Sequence, residues 1–271
     1  MSLQNKHGSL VVAVISSKGE YVAVAGESRN LNGTDATPAN DDACKLISLG
    51  DALFFHLGSS VYGPRNDGAV WDANDMARKI YRRSASRNAH LLALKWVSQA
   101  RQWFGGMTDE ELQRVLSKPL GKIATGGFVT FDENGTPSVE AQDLFYDVRA
   151  RRFRQTPDFD PPHPGQLVSS GRAKNLIIEF FARKSERAVH ALDPTIFIGV
   201  DPEVDADVAK KSVQFAIDNS TGDEHAALHG PIDVVILRRN RTIEWVSRKP
   251  ACYREDESIR RLSPAMPAIN P

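Results

Sequence analysis

The sequence of 271 residues predicts an α+β fold: a four-layer α/β/β/α sandwich of two antiparallel sheets flanked by helices. Two observations predict it. Strand-like and helix-like runs come in blocks (strands, two helices, strands, two helices, strands) instead of alternating, which argues against a doubly wound parallel sheet. The opening runs, Leu10 to Ile15 and Tyr21 to Ala25, are apolar with almost no alternation, the pattern of strands buried on both faces.

The elements follow in order. Residues 1–8 are polar and read as a flexible extension or short propeptide. The first two strands flank a Lys18-Gly19 turn, and Asn30 to Asp42, rich in Asn, Gly, Thr, Asp and Pro, reads as a loop. Lys45 to Leu49 and Ala52 to Leu57 form a second strand pair around Gly50-Asp51. From Asp72 to Phe104 the apolar spacing turns helical, with a weak point at Ser84-Ala85-Ser86. Trp71, Tyr81, Trp96, Trp103 and Phe104 exceed what one core-facing stripe needs, which predicts an exposed apolar patch and self-association. Thr108-Asp109-Glu110-Glu111 is a capping-box start for a short helix. Strands return at Ile123 to Phe131, Val139 to Tyr146 and Leu167-Val168. Amphipathic helices are predicted over Arg172 to Lys184 and Asp205 to Asn219, and a last hairpin over Ile232 to Leu237 and Thr242 to Val246. No linker divides residues 9–249, so they form one domain; residues 250–271, with four prolines, read as a surface tail.

Composition narrows the function classes. Lys+Arg 34 balances Asp+Glu 34, so no global charge favours nucleic acid or an acidic membrane. The run Arg149-Ala150-Arg151-Arg152-Phe153-Arg154 reads as a solvated turn. No apolar run is long enough to span a membrane, no phosphate loop or dinucleotide fingerprint occurs, and the histidines lack metal-ligand spacing. Neither a metal nor a cofactor is expected. Cys44 and Cys252 are too few for a disulfide framework, which fits a reducing cytoplasm; Cys44 reads as a core residue. The chain is therefore expected to be soluble and cytoplasmic.

The residues that carry chemistry cluster early. Gly26-Glu27-Ser28-Arg29 follows the first hairpin, Cys44-Lys45-Leu46-Ile47 opens the next strand, and the second pair ends in Leu57-Gly58-Ser59-Ser60. Later, Ser169-Ser170-Gly171-Arg172-Ala173 precedes a predicted helix, and Gly230-Pro231-Ile232-Asp233-Val234 opens the last hairpin. A lysine in an apolar strand is costly to bury without a carboxylate partner; otherwise Lys45 lies exposed on a strand edge. Gly58 also reads as a turn glycine needing positive φ, and Ser170 as a helix N-cap.

In that order these features resemble a proteasome β-subunit of the N-terminal-nucleophile (Ntn) hydrolase superfamily. The resemblance implies the four-layer sandwich and an amide-bond hydrolase, with a nucleophile freed by cleavage at Gly8-Ser9 and Ser9 supplying hydroxyl and α-amine base. It also implies Lys45 beside the nucleophile and paired with Glu27, which stands where the family has Asp, with Gly58 at the oxyanion and Ser170 as accessory serine. A peptide or amide substrate and a homo-oligomeric ring are the implied partners. The sequence departs from the family's pattern as well. Ser9 replaces threonine, its spacing to Glu27 is longer, and Ala226 and His229 stand where the family has a late Asp and Ser. These departures imply an alternative, a catalytically silent subunit with an assembly or structural role.

Overall fold

The computed structural model describes residues 10–27, 30–31, 38–40, 44–58, 61–116, 120–159, 162–171, 177, 199–220, 228 and 230–252. Ser9, Ser28, Arg29, Ala226, His229 and, apart from Ile177, the predicted helix Arg172 to Lys184 lie outside them.

The first predicted hairpin is present as β1 (Leu10–Ile15) and β2 (Tyr21–Gly26), and all residues of both strands are buried. The predicted loop after it contains a minor ladder, β3 (Asn30–Leu31) with β4 (Pro38–Asn40). The second hairpin is β5 (Leu46–Ser48) and β6 (Leu53–Leu57). A short pair, β7 (Val61–Tyr62) with β8 (Trp71–Asp72), leads into the helices.

The helical stretch divides at the predicted weak point into α1 (Ala73–Arg83), N-capped by Asp72, and α2 (Ala89–Phe104), N-capped by Asn88. The Thr108 capping box starts α3 (Asp109–Val115). Next come β9 (Leu120–Phe131), β10 (Pro137–Asp147), β11 (Arg152–Pro157) and β12 (Leu167–Gly171). Then α4 (Pro202–Asn219), capped by Asp201, leads to β13 (Asp233–Arg238) and β14 (Ile243–Ser247).

Two antiparallel five-stranded sheets result, ordered β12-β1-β2-β13-β14 and β11-β10-β9-β6-β5. Three apolar clusters bind the layers. Leu10, Val12 and Val14 of β1 pack with Ala209, Val213 and Ala216 of α4. The intervening Val11, Ala13 and Ile15 meet Phe55, Val129 and Ala141 of the other sheet. That sheet's outer side (Phe54, Phe128, Leu144) packs on Leu92, Trp96 and Val97 of α2. Both faces of β1 are thus covered, which is why its sequence fails to alternate. The chain is a mixed α+β protein with two large antiparallel sheets, layered helix, sheet, sheet, helix.

Three expectations are corrected. The surplus aromatics form no surface patch: Trp71, Tyr81, Trp96 and Phe104 are buried, and Trp103 packs partly buried under the Arg65 guanidinium. The helices press on the sheet and on each other, so more than one stripe is covered. The basic run is a turn only to Arg151; Arg152-Phe153-Arg154 begins the exposed edge strand β11, where charge discourages pairing with other chains. Finally, Cys44 and Cys252 are joined by a disulfide. Residues 250–252 therefore do not belong to a surface tail: the buried side chains of Arg248 and Lys249 turn inward and carry Cys252 against Cys44, and the rest of the predicted tail, 253–271, lies outside the described residues.

Gly126 and Gly127 of β9 set the spacing on both sides of their sheet. A Cβ at Gly126 would stand 2.3 Å from Trp96, and one at Gly127 would stand 2.1 Å from Phe55. Gly126→Ala is expected to cost about 1–3 kcal/mol through this overpacking, read as a lower urea midpoint with unchanged slope; an unaltered midpoint would refute it.

Candidate active site

The residue after β2, Glu27, and the residue before β5, Lys45, come from different sheets and meet at one end of the sandwich. Lys45 Nζ lies 2.8 Å from Glu27 Oε1, and both side chains are buried. Burying either charge alone would cost several kcal/mol, so the pair exists only as a pair. The same oxygen, Oε1, accepts a 3.3 Å hydrogen bond from the backbone N–H of Leu10, while Glu27 N donates to Leu10 O at 3.3 Å. The ion pair is therefore fastened to the first residue of β1, one peptide bond from Ser9.

The pairing register explains what surrounds it. Gly26 stands opposite Val11 on one side and Asp233 on the other, and Val11 stands opposite Ser170. Ser170, Val11, Gly26 and Asp233 thus lie in a row across adjacent strands, one residue along from the Leu10–Glu27 junction. Asp233 accepts from Lys249 N at 2.9 Å and faces Lys249 Nζ at 3.3 Å and Arg248 Nη1 at 3.6 Å. Burial pushes the Lys249 ammonium below the ordinary lysine range, opposed by the Asp233 and Glu27 carboxylates. From the other sheet His56 sits beside Lys45, its backbone N–H donating to Lys45 O at 3.0 Å. Burial, aided by the charges of Lys45 and Lys249, lowers its imidazole to about 3, so the ring is neutral near pH 7.

The remaining sequence-predicted residues fall out as follows. Ser170 is buried within β12 and does not cap a helix; its hydroxyl has no hydrogen-bond partner. Gly58 follows β6 with φ of +97°, the conformation its turn reading required. The structure brings Glu27 and Lys45 into contact and sets Ser170 on the strand beside β1. Ser9 is outside the described residues.

Sequence reasoning passed over Asp233, Arg248, Lys249 and His56. Their signal was present: Asp233 heads the apolar run Val234 to Leu237, and His56 interrupts Leu53-Phe54-Phe55 and Leu57. A second polar group, in β9 and β10, was also missed. Asp143 accepts from Thr125 Oγ1 at 2.5 Å and pairs with Lys122 at 3.0 Å. Burial raises its carboxyl to about 6, against the pull of Lys122. Among the described residues no group of His, Cys, Asp and Glu is arranged to hold a metal, and no helix is long and apolar enough to cross a membrane.

Chemically, a buried ammonium fixed by one carboxylate supplies positive charge to an anion formed nearby, without a proton transfer of its own. Compared with known protein families and with curated proteins, the sequence matches no family model and no curated relative.

Lys45→Ala strands the Glu27 carboxylate and is expected to destabilise the fold by about 3–5 kcal/mol, measured by chemical denaturation. A loss below about 0.5 kcal/mol, as for exposed sites, would mean the pair does not form. His56 gives a pH signature. The unfolded chain binds its proton as pH falls through 6.5, whereas the folded chain resists until about 3. Stability from this residue is complete above 6.5 and is lost as pH falls across that window. His56→Leu should flatten the acid limb of the melting temperature between pH 6.5 and 4; an identical limb in parent and variant would exclude His56 as its source.

Proposed function

We propose that this chain is a proteasome-like Ntn-fold amide-bond hydrolase acting on a peptide or amide. The observation that carries the reading is the shared Glu27 oxygen, bonded at once to Lys45 Nζ and to the Leu10 N–H. Ser9 is covalently attached to that same nitrogen, so its Cα lies about 3.8 Å from that of Leu10. A nucleophile at residue 9 is thereby tied to the buried lysine through a single carboxylate.

In this reading the Ser9 hydroxyl attacks the Gly8 carbonyl, the Gly8–Ser9 C–N bond breaks, and water hydrolyses the resulting ester to free the Ser9 α-amine. The α-amine, with a pKa of about 7.7–8.0, takes the hydroxyl proton as Ser9 attacks a substrate amide. The Lys45 charge favours the alkoxide, and the Gly58 N–H serves the tetrahedral oxyanion. The proton returns to the departing amine, and water releases the acyl group. Ser170, with a buried unpartnered hydroxyl one strand from β1, suits a supporting role.

A second reading, a silent subunit with a structural role, is favoured by a different observation. The ion pair continues into Asp233, Arg248 and Lys249, which fasten the chain after β14 to both sheets whether or not a nucleophile exists. Either version is proposed to self-associate, with Val61, Val70 and Leu91 among the exposed apolar side chains.

Intact mass separates the readings. The hydrolase should lose residues 1–8, Ser9→Ala should stay uncut, and Lys45→Met should slow or abolish cutting. A parent chain that keeps residues 1–8 removes the mechanism and leaves the silent subunit. Light scattering on the same samples should give a multiple of the single-chain mass measured for each, which is 29.9 kDa for the uncut chain; a single-chain mass would exclude the oligomer.

A further inference from the structure

Both chain neighbours of Lys45 are held by the same short segment, residues 248–252. On one side the Cys44 sulfur is bonded to Cys252. On the other, Leu46 O accepts a 2.5 Å hydrogen bond from Arg248 Nη1. The segment is itself stiffened. Arg248 Nη2 donates to Cys252 O at 3.4 Å, Cys252 N donates to Lys249 O at 3.1 Å, and the guanidinium lies 3.7 Å from the centre of the Trp245 ring. Asp233 anchors it to β13 through the Lys249 backbone and both cations.

We propose that residues 248–252 form a clamp that positions Lys45 and that the Cys44–Cys252 disulfide makes the clamp redox-sensitive. Asp233 and Arg248 are positioning residues: they act on Lys45 through the backbone on either side of it, not on a substrate. Cys44 is only partly buried and gives a reductant its approach, whereas Cys252 is fully enclosed. A dithiol reductant attacks the bond through one thiolate to give a mixed disulfide. Its second thiol then displaces the protein sulfur. Two electrons and two protons pass to the protein, which gains two thiols, and the reductant leaves as its own cyclic disulfide. One arm of the clamp is then lost while the Arg248 arm remains. The positioning role concerns the same lysine as the hydrolase reading; the clamp itself does not require catalysis.

The test reads Lys45 directly and needs no activity. The full chain is treated with a water-soluble amine-acylating reagent before and after reduction by dithiothreitol, and modification at each lysine is quantified by mass spectrometry. Iodoacetamide labelling reports the state of both cysteines. Lys45 should be protected in the oxidised chain and label about tenfold faster after reduction, as a local opening becomes easier. Exposed Lys79 should label equally in both states, and the near-ultraviolet signal of the buried tryptophans should be retained. Cys252→Ser should reproduce the reduced pattern under oxidising conditions, and Arg248→Met should raise Lys45 labelling with the disulfide intact. Three results would overturn the proposal: two free thiols in the oxidised chain, unchanged Lys45 protection after complete reduction, or collapse of the tryptophan signal together with Lys45 exposure. The last would make the bond a general staple. None of these depends on whether residues 1–8 are removed, so the clamp and the hydrolase reading fail separately.

Discussion

The ammonium of Lys45 lies where water cannot reach it, and the arrangement of one end of the sandwich follows from that constraint. A buried charge needs a fixed opposite charge, and Glu27 supplies it across the gap between the sheets. Glu27 in turn is held by the Leu10 backbone, which defines where β1 begins relative to β2. Asp233, one strand further on, gathers Arg248 and Lys249. Charges that would each be ruinous alone become tolerable because every one has a geometrically fixed neighbour. Buried ion pairs can often be replaced by apolar side chains of equal volume without loss of stability, so stability alone does not account for the set.

The rest of the molecule supplies rigidity for this end. β1 and β2 are buried on both faces, so their register cannot slip by one residue without moving an entire apolar set to the wrong layer. On the other sheet, Gly126 and Gly127 let Trp96 and Phe55 sit directly on the strand beside His56. The His56 imidazole there stacks on Phe54 and, being neutral, adds no charge to be balanced near Lys45.

Much of this was legible from residues alone. The unalternating β1 and β2, the helix break at Ser84 and the Thr108 capping box rest on local chemistry; Lys45 stood out as one charge in an apolar run, and the choice of Glu27 as its partner rested on the family resemblance. What was not legible depends on distant contacts. The aromatic excess of α1 and α2 resembled a surface patch because sequence does not tell how many sides of a helix are covered. The disulfide escaped because two cysteines separated by 208 positions carry no spacing signal; only the inward turn of Arg248 and Lys249 brings them together. Ser170 was read as an accessory serine or else a helix cap; its strand pairing with Val11 rules out the cap.

The Cys44–Cys252 bond also changes the topology of the chain. It closes residues 44–252 into a covalent ring. A single peptide-bond cut anywhere inside that ring separates nothing: both sides stay attached through sulfur, and the noncovalent sandwich keeps them in register. A nick in a segment between strands would therefore leave the covalent mass of the ring whole even in denaturant while the bond is oxidised, and would release fragments on denaturation once it is reduced. The integrity of this protein after proteolytic damage is thus a property of two sulfur atoms as much as of its two sheets.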